Sequence, residues 1–256
     1  MTLIKLDKQN SIYTITLNRS EVRNAFNDKM ISEMTELFKS LQSDQTVRAV
    51  ILKGDGESFC AGADLNWMKS MVQYTEQENI EDSNKLYDMF SELEKVPVPV
   101  IGQIHGHAMG GAMGLVALCD IVAAETDTKF CFSEVRLGLA PAVISSFVAK
   151  KMSRSQLHRW FLTAEIFDGS QAHDMGLIHF CGDKASVEEF VKKVSSKVSN
   201  NGPEAVRATK KLIQQTLDTS EDIKKETVEL IAKLRVSAEG QEGLNSFFNK
   251  NKPNWI

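Results

Sequence analysis

Two glycine-rich stretches of the sequence could present backbone N–H groups to a ligand oxygen. IGQIHGHAMGGAMGLVALCD covers residues 101–120, and ILKGDGESFCAGADLNWM covers residues 51–68. Each has the pattern of a strand, a turn of small residues and the start of a helix, and the first N–H groups of a helix have no partner within it. If the N–H groups of Ala61 and Gly111 converge, they form an oxyanion hole, which stabilises the negative oxygen that develops on a carbonyl during reaction.

Glycines before a helix also occur in nucleotide-binding loops and in close helix packing. The spacing of Gly106, Gly110, Gly111 and Gly114 does not give GxGxxG, and neither Lys-Ser nor Lys-Thr follows as a phosphate-binding loop requires. The pattern therefore disfavours a nucleotide site. Close packing through glycine remains an alternative for one such stretch taken alone.

Glu134 is the candidate acid or base. It lies in CFSEVRLGLAP, residues 131–141, where most neighbours are apolar. Apolar surroundings disfavour the charged carboxylate and raise its pKa toward the range that is useful for proton transfer. The alternative is a glutamate at the surface or at the cap of a helix.

Four motifs in this order resemble the crotonase superfamily of enoyl-CoA hydratases and isomerases. They are RNAFN (23–27), FCAGADL (59–65), HGHAMGG (105–111) and SEVRLGLAP (133–141). The resemblance covers nearly the whole chain, as far as FFNKNKPNW at residues 247–255. It implies an α/β crotonase fold, with repeated ββα units that form a spiral core over residues 1–195. A C-terminal all-helical region, residues 196–256, would then build a homotrimer or a hexamer of two trimers.

The resemblance also implies roles for individual residues. Glu134 would face the α-carbon of an acyl-CoA, while the N–H groups of Ala61 and Gly111 hold the thioester oxygen. Coenzyme A enters as part of the substrate, and no other cofactor and no metal is expected. The positions that match CoA contacts in the family are Arg23, Asn24, Ala25, Ala61, Asp64, Leu65, Gly111, Phe247 and Lys250. Solvated charges or first-turn helix charges are the alternatives for the charged members of this set.

Gly114 departs from the family pattern, because the hydratases usually carry a second glutamate three residues after the oxyanion glycine, here Gly111. A single carboxylate at Glu134 is what an isomerase needs to move a proton between C2 and C4 of an enoyl-CoA. SEVRLGLAPAVIS, residues 133–145, resembles instead the bacterial methylglutaconyl-CoA hydratases. We therefore expect hydration of a branched enoyl-CoA such as 3-methylglutaconyl-CoA. The alternatives are Δ3,Δ2-enoyl-CoA isomerisation and non-catalytic acyl-CoA binding.

Arg136 follows Glu134 by two residues. In an extended segment the two side chains would lie on the same face, and the guanidinium would then be placed to bind a distal carboxylate of the substrate. The alternative is an arginine that faces outward and forms a salt bridge.

Composition narrows the class of protein further. The chain has 256 residues, of which 42% are hydrophobic and 25% charged, and this suits one sizeable α/β core. A net charge of -4 gives no general attraction to nucleic acid.

The four cysteines show no CxxC spacing, so we expect buried free thiols. His105 and His107 lack the third ligand that a catalytic metal needs. The absence of a long apolar run and of a signal-peptide pattern predicts a soluble cytoplasmic protein without a membrane partner.

Periodicity predicts the elements that position these residues. We expect a hairpin over 3–19, a helix over 27–43 capped by Asn27 or Asp28, a helix within 66–95 and a turn at 170–175. The other expected strands are at 47–52, 100–105, 121–135 (two short strands) and 177–181. The other expected helices are at 142–152, 153–163, 186–199, 203–218, 221–238 and 240–249.

Overall fold

The computed structural model describes residues 2–217 and 237–255. Its strands are β1 (Ile4–Gln9), β2 (Ile12–Leu17), β3 (Ala49–Gly54), β4 (Val100–Ile104), β5 (His107–Met109), β6 (Ile121–Glu125), β7 (Lys129–Cys131) and β8 (Phe180–Gly182). Its helices are α1 (Asp28–Ser43), α2 (Leu65–Met71), α3 (Glu76–Glu94), α4 (Ala112–Leu118), α5 (Ala142–Val148), α6 (Arg154–Thr163), α7 (Gly169–Asp174), α8 (Lys184–Ser199), α9 (Pro203–Leu217) and α10 (Ala238–Phe248). The helix predicted over 221–238 lies almost entirely outside the described residues.

Six strands form one sheet in the order β1-β2-β3-β4-β6-β8. β1 and β2 pair antiparallel, which confirms the hairpin predicted over 3–19, and the later pairings of this sheet are parallel. β5 and β7 pair parallel in a separate two-stranded sheet. Because β3 and β4 are parallel neighbours, their carboxyl ends meet at one edge of the sheet, where ligands bind in open α/β folds. Both glycine-rich turns begin at that edge.

Helices cover the two faces of the six-stranded sheet. The larger core lies on one face and includes buried side chains of α1, α3 and α4. On the other face, α8 packs Val187 and Val191 against Ala49, Ile101 and Ala123 of three neighbouring strands. Parallel strands buried on both faces are typically apolar runs, and β3 and β4 have that composition.

Two helix starts show how local sequence sets these elements. Asn27 rather than Asp28 caps α1, because its side chain accepts a hydrogen bond from the Met30 N–H at 2.9 Å. Residues 66–95 form two helices, α2 and α3. The second helix begins at a capping box in which the side chains of Thr75 and Glu78 bind each other's backbone N–H groups.

Two further expectations concern the region after α5. Ser153 caps α6 and forms a capping box with Gln156, which starts the helix within one residue of its predicted start. The turn predicted at 170–175 is the short helix α7, which begins after Asp168, a cap that accepts from the Gln171 N–H at 2.9 Å.

A buried cation, Lys210, holds α9 against the amino-terminal edge of the sheet. The Lys210 ammonium lies 2.6 Å from an Asp120 carboxylate oxygen, and that oxygen also accepts the Val100 N–H at 2.7 Å. Lys210 donates in addition to the Val98 carbonyl at 3.0 Å. The division expected between residues 195 and 196 falls inside α8, where the chain is continuously helical. Over the described ranges, no helix has both the length and the apolar character that a membrane crossing requires.

Candidate active site

A strand-like pairing brings the two glycine-rich turns together. Cys60 pairs with Ala108 of β5 in parallel register. The N–H of Met109, the residue after Ala108, donates to the Cys60 carbonyl at 3.1 Å. Ala63 and Gly111 each follow this pair by three residues in their own turns.

Phe26 contacts both of these residues from a third segment. Its N–H donates to the Gly62 carbonyl at 2.7 Å, and its carbonyl accepts the Asp64 N–H at 2.7 Å, so that its backbone pairs with Ala63. A Cβ built on Gly111 would lie 3.3 Å from the Cε2 atom of the Phe26 ring. Phe26 therefore contacts both turns, Ala63 through its backbone and Gly111 through its ring.

The N–H groups of Ala63 and Gly111 are among the free donors of the two turns. Neither has a hydrogen-bond partner among residues 2–217 and 237–255, and Gly111 is the N-cap of α4. The prediction of Ala61 as the first donor is corrected, because its N–H donates to the Arg23 carbonyl at 2.9 Å. Ala61 and Ala63 flank Gly62 symmetrically in the sequence, and only the contact with Arg23 distinguishes them.

Gly62 lets the two turns approach this closely. Its φ of +95° lies in the region that side chains rarely adopt. A Cβ at this position would lie 2.8 Å from the Met109 carbonyl oxygen. Any side chain at Gly62 would therefore separate the turns and move Ala63 away from Gly111.

Glu134 lies beside the second turn. It begins a short 3₁₀ turn, Glu134–Leu137, that follows β7. A Cβ built on Gly110 would lie 3.6 Å from Glu134 Oε1. The other carboxylate oxygen, Oε2, is buried without a hydrogen-bond partner in the described chain, and burial raises the pKa of Glu134 above its usual value. This raised pKa is what the sequence predicts.

Gly114 faces packed side chains and not an open site. A Cβ at Gly114 would lie 2.7 Å from Cζ of Phe90 and 2.9 Å from Cγ2 of Ile144. The space into which a second glutamate would project is therefore filled, and Glu134 is the only carboxylate that the described structure places beside Gly110.

Asn24 has a supporting role that its motif position does not reveal. Its amide donates to the carbonyls of Asp55 and Ser58, both at 2.8 Å, and its Oδ1 accepts the Arg19 N–H at 2.8 Å. The residue is fully buried, with a left-handed φ of +56°. The side chain therefore holds the loop before Ala61 in place and is not available to a ligand.

Arg19 is a functional support that the sequence interpretation missed. Its guanidinium lies 2.8 Å from a carboxylate oxygen of Asp64, and the two side chains are 11% and 8% exposed. Burial alone would raise the pKa of Asp64, but hydrogen bonds from Arg19 and from the N–H groups of Asn66 and Trp67 together lower it. Asp64 is the cap of α2, so this pair fixes the helix that begins directly after Ala63. Arg19 lies 45 residues from Asp64, and no local spacing signals the contact.

Arg136 does not lie on the face of Glu134. The segment is a 3₁₀ turn, in which the Arg136 N–H donates to the Ser133 carbonyl at 3.1 Å, so the extended geometry that a shared face would require does not occur. The guanidinium instead donates to the Ala164 carbonyl.

The remaining predicted CoA contacts are dispersed along the chain. Ala25 is buried, and its carbonyl accepts a hydrogen bond from the Arg19 guanidinium. Arg23, Leu65 and Lys250 have exposed side chains. Phe247 lies in the last turn of α10.

A carboxylate with a raised pKa beside two free N–H donors is the arrangement of an enzyme that moves protons next to a carbonyl group. Comparison with known proteins identifies the family. The model of the enoyl-CoA hydratase/isomerase family matches residues 7–256. The chain belongs to this family, as its motifs predict.

Relatives and solved structures of the same family resemble the chain over most of its length. A putative enoyl-CoA hydratase of Thermus thermophilus is 27% identical over 94% of this chain and 96% of that protein. The short-chain-enoyl-CoA hydratase of Clostridium acetobutylicum is 30% identical over 85% of this chain and 83% of its own. The crystal structure of a putative enoyl-CoA hydratase/isomerase (crotonase) from Legionella pneumophila is 41% identical, covers all of both chains and has a TM-score of 0.94. Pseudomonas aeruginosa AtuE is 29% identical, with a TM-score of 0.96 over 99% of each chain. The α/β crotonase fold is thereby confirmed.

Proposed function

We propose that the protein hydrates an α,β-unsaturated acyl-CoA and that Glu134 transfers the protons. The observation that carries this proposal is the position of the Glu134 carboxylate against Gly110, whose neighbour Gly111 has a free N–H group. Two N–H donors at one thioester oxygen stabilise the enolate that forms when a nucleophile adds at C3. Removal of one such donor costs about 10² to 10³ in rate in other enzymes.

Glu134 has to perform both proton transfers, because Gly114 leaves no second carboxylate. The Glu134 carboxylate takes a proton from water while the water oxygen forms its bond to C3. The electron pair of the C2=C3 double bond moves toward the thioester oxygen, and the enolate results. The protonated Glu134 then gives its proton to C2, which restores the thioester carbonyl. A pKa raised by burial suits a group that must both accept and release a proton.

The acyl group that we propose is a branched glutaconyl type, with 3-methylglutaconyl-CoA as the first compound to test. Its support is the resemblance of SEVRLGLAPAVIS, residues 133–145, to the methylglutaconyl-CoA hydratases. The names of the relatives do not narrow the acyl group to this one. The proposal does not require Arg136 as the partner of a distal carboxylate, since its guanidinium binds Ala164.

Isomerisation of a 3-enoyl-CoA to a 2-enoyl-CoA is the second candidate. The packing of Phe90 and Ile144 around Gly114 favours it, because a single carboxylate can move a proton from C2 to C4 without water. In this reaction the same two N–H groups would hold a dienolate.

We propose in addition that the protein assembles as a trimer or as a hexamer of two trimers. Large apolar side chains are exposed near the Glu134 turn and the end of α6, at Leu137, Leu139, Leu162 and Ile166. Exposed apolar patches of this kind are typical of protein–protein interfaces. Light scattering coupled to gel filtration would measure the mass, and a monomer would refute the assembly without affecting the proposed chemistry.

Product analysis by mass spectrometry tests the reaction. The purified protein is incubated with 3-methylglutaconyl-CoA, crotonyl-CoA and a 3-enoyl-CoA, alongside the variants Glu134→Gln and Glu36→Gln. Glu36 is an exposed glutamate of α1 and serves as the matched control. Addition of one water that Glu134→Gln abolishes and Glu36→Gln retains would support hydration.

Other outcomes of this experiment lead to different conclusions. An unchanged mass with a shifted double bond would identify an isomerase. Tight acyl-CoA binding without turnover, equal in Glu134→Gln, would refute both reactions and indicate a binding protein.

A further inference from the structure

Arg136 joins the segment that carries Glu134 to the end of α6. Its Nη2 atom donates to the carbonyl of Ala164, the left-handed residue at which α6 ends. The Cys131 thiol donates to the same carbonyl at 3.2 Å. Ala164 is fully buried, so its carbonyl depends on these donors.

Few other hydrogen bonds hold the segment that follows Glu134. The side chains of residues 136–140 are exposed, and the backbone hydrogen bonds of the turn remain within it, from the Leu139 N–H to the Glu134 carbonyl and from the Gly138 N–H to the Val135 carbonyl. In the described parts of the chain, the bond from Arg136 to Ala164 is the one hydrogen bond from residues 134–140 to a residue outside 133–142. β7 fixes the segment before Glu134, and within the described protomer Arg136 supplies the one hydrogen bond that ties the segment after it to another element.

The residues around Ala164, which accepts the hydrogen bond from Arg136, are closely packed. The rings of Phe132 and Phe161 lie 4.6 Å apart, which packs the residues just before Glu134 against α6. The backbones of Phe130 and Phe167 exchange hydrogen bonds at 2.9 and 3.0 Å. Ala164 lies between Phe161 and Phe167 in the chain, so its carbonyl is a fixed point from which a side chain can hold the turn.

We propose that Arg136 is a positioning residue, which holds the Glu134 carboxylate at its distance from the Gly110–Gly111 turn by binding the Ala164 carbonyl. This inference rests on the proposed acyl-CoA chemistry at Glu134. Arg136 would then affect the turnover of every substrate, whether or not the acyl group has a distal carboxylate. An arginine that binds a distal carboxylate would matter only for substrates that have one.

The guanidinium acts here through position rather than through its charge. Burial is the main cause of the raised pKa of Glu134, and the charge of Arg136 is not among its causes. Only one N–H of the guanidinium is used, and a lysine ammonium can supply one donor to a carbonyl. Bidentate recognition of a carboxylate, in contrast, does not tolerate lysine.

The experiment compares Arg136→Met and Arg136→Lys with the wild-type protein on crotonyl-CoA and 3-methylglutaconyl-CoA. Arg159→Met is the matched control, because Arg159 is also exposed, lies on α6 and binds Glu165 next to Ala164. A shift of about 1 Å at a reacting group costs about 10²-fold in rate. We expect Arg136→Met to lower kcat roughly 10- to 100-fold by the same factor on both substrates, with little change in KM. Arg136→Lys should restore most of kcat, and Arg159→Met should leave it unchanged.

Amide hydrogen exchange supplies a readout that needs no turnover. Exchange at residues 134–140 should be faster in Arg136→Met than in the wild-type protein and in Arg159→Met, while β3 and β4 remain protected. Unchanged exchange at 134–140 would refute the anchor even if no enoyl-CoA were converted, and a wild-type protein without turnover would refute only the proposed function. A kcat loss confined to the substrate with a distal carboxylate, or an equal loss in Arg136→Lys, would show that Arg136 binds substrate instead.

Discussion

Replacement of Gly114 by alanine tests whether the space for a second catalytic side chain is filled. Gly114 is the third residue of α4, and an alanine in place of glycine stabilises a helix by at most about 1 kcal/mol. Here the new Cβ would lie 2.7 and 2.8 Å from two ring atoms of Phe90 and 2.9 Å from Cγ2 of Ile144. The ring and the branched side chain come from different helices, α3 and α5, so neither can move without disturbing its own packing.

The two effects have opposite signs, and their sizes decide the outcome. Insertion of a carbon into a well-packed core costs typically about 1 to 3 kcal/mol. Three contacts below 3.0 Å place Gly114→Ala in the upper half of that range. After the gain in helix propensity, the free energy of unfolding should fall by about 1 to 2 kcal/mol. In a protein of this size the midpoint of thermal unfolding then falls by roughly 2 to 8 °C.

Urea unfolding of Gly114→Ala, Phe90→Leu and the double variant measures this cost. The shorter leucine makes room for the added carbon, so the double variant should be more stable than the sum of the single effects by about 1 kcal/mol. Phe180→Leu is the matched control, because Phe180 packs on the opposite face of the sheet and should combine with Gly114→Ala additively. If Gly114→Ala were as stable as the wild-type protein, the space at Gly114 would be open and Phe90 and Ile144 would not fill it as we infer.

Three other predictions follow from charged groups of the described structure. Burial raises the pKa of Glu134, so kcat/KM should rise with pH through an apparent pKa above the ordinary 4.5. The native protein also binds this proton more tightly than the unfolded chain does, so the wild-type protein loses stability as pH rises. Urea unfolding at about pH 5 and pH 8 should therefore show Glu134→Gln gaining stability relative to the wild-type protein at the higher pH. Arg19→Met leaves Asp64 buried without its cation, and thermal unfolding at neutral pH should show a loss of about 3 kcal/mol; a loss below about 0.5 kcal/mol would contradict the burial of this pair. Lys210→Met should speed hydrogen exchange in α9 before it affects β3 or β4, and equal protection would show that apolar contacts alone hold α9.

Local sequence signals predict most of the fold. The periodicity of residues 27–43 and the cap at Asn27 give α1 almost to the residue, because both signals act within a few residues of the chain. The split of 66–95 was missed although Thr75 and Glu78 have the spacing of a capping box. The 3₁₀ turn after Glu134 has no periodic signal in the sequence, and Gly138, which adopts a left-handed φ of +72°, is the local residue that indicates it.

The candidate site is less predictable than the fold because its geometry comes from distant contacts. Composition predicts that small residues around Gly62 expose an N–H group, but the Arg23 carbonyl decides that it belongs to Ala63 and not to Ala61. Glu134 could be singled out from its apolar neighbours alone, since burial is the main cause of its raised pKa. Nothing local shows that Phe90, 24 residues away along the chain, fills the space at Gly114.

The segment after the first hairpin has a structural role that explains why the donor turn keeps its shape. Arg19 binds Asp64 after the turn, and Asn24 binds the carbonyls of Asp55 and Ser58 before it. Ala63 is thus held from both sides by side chains of one segment. The proposed contacts of that segment with coenzyme A involve its backbone, which these side chains hold in place, so we expect ligand binding and oxyanion geometry to depend on the same hydrogen bonds. Asn24→Ala should therefore lower kcat as well as raise KM in steady-state kinetics, whereas a residue that only binds coenzyme A would change KM alone.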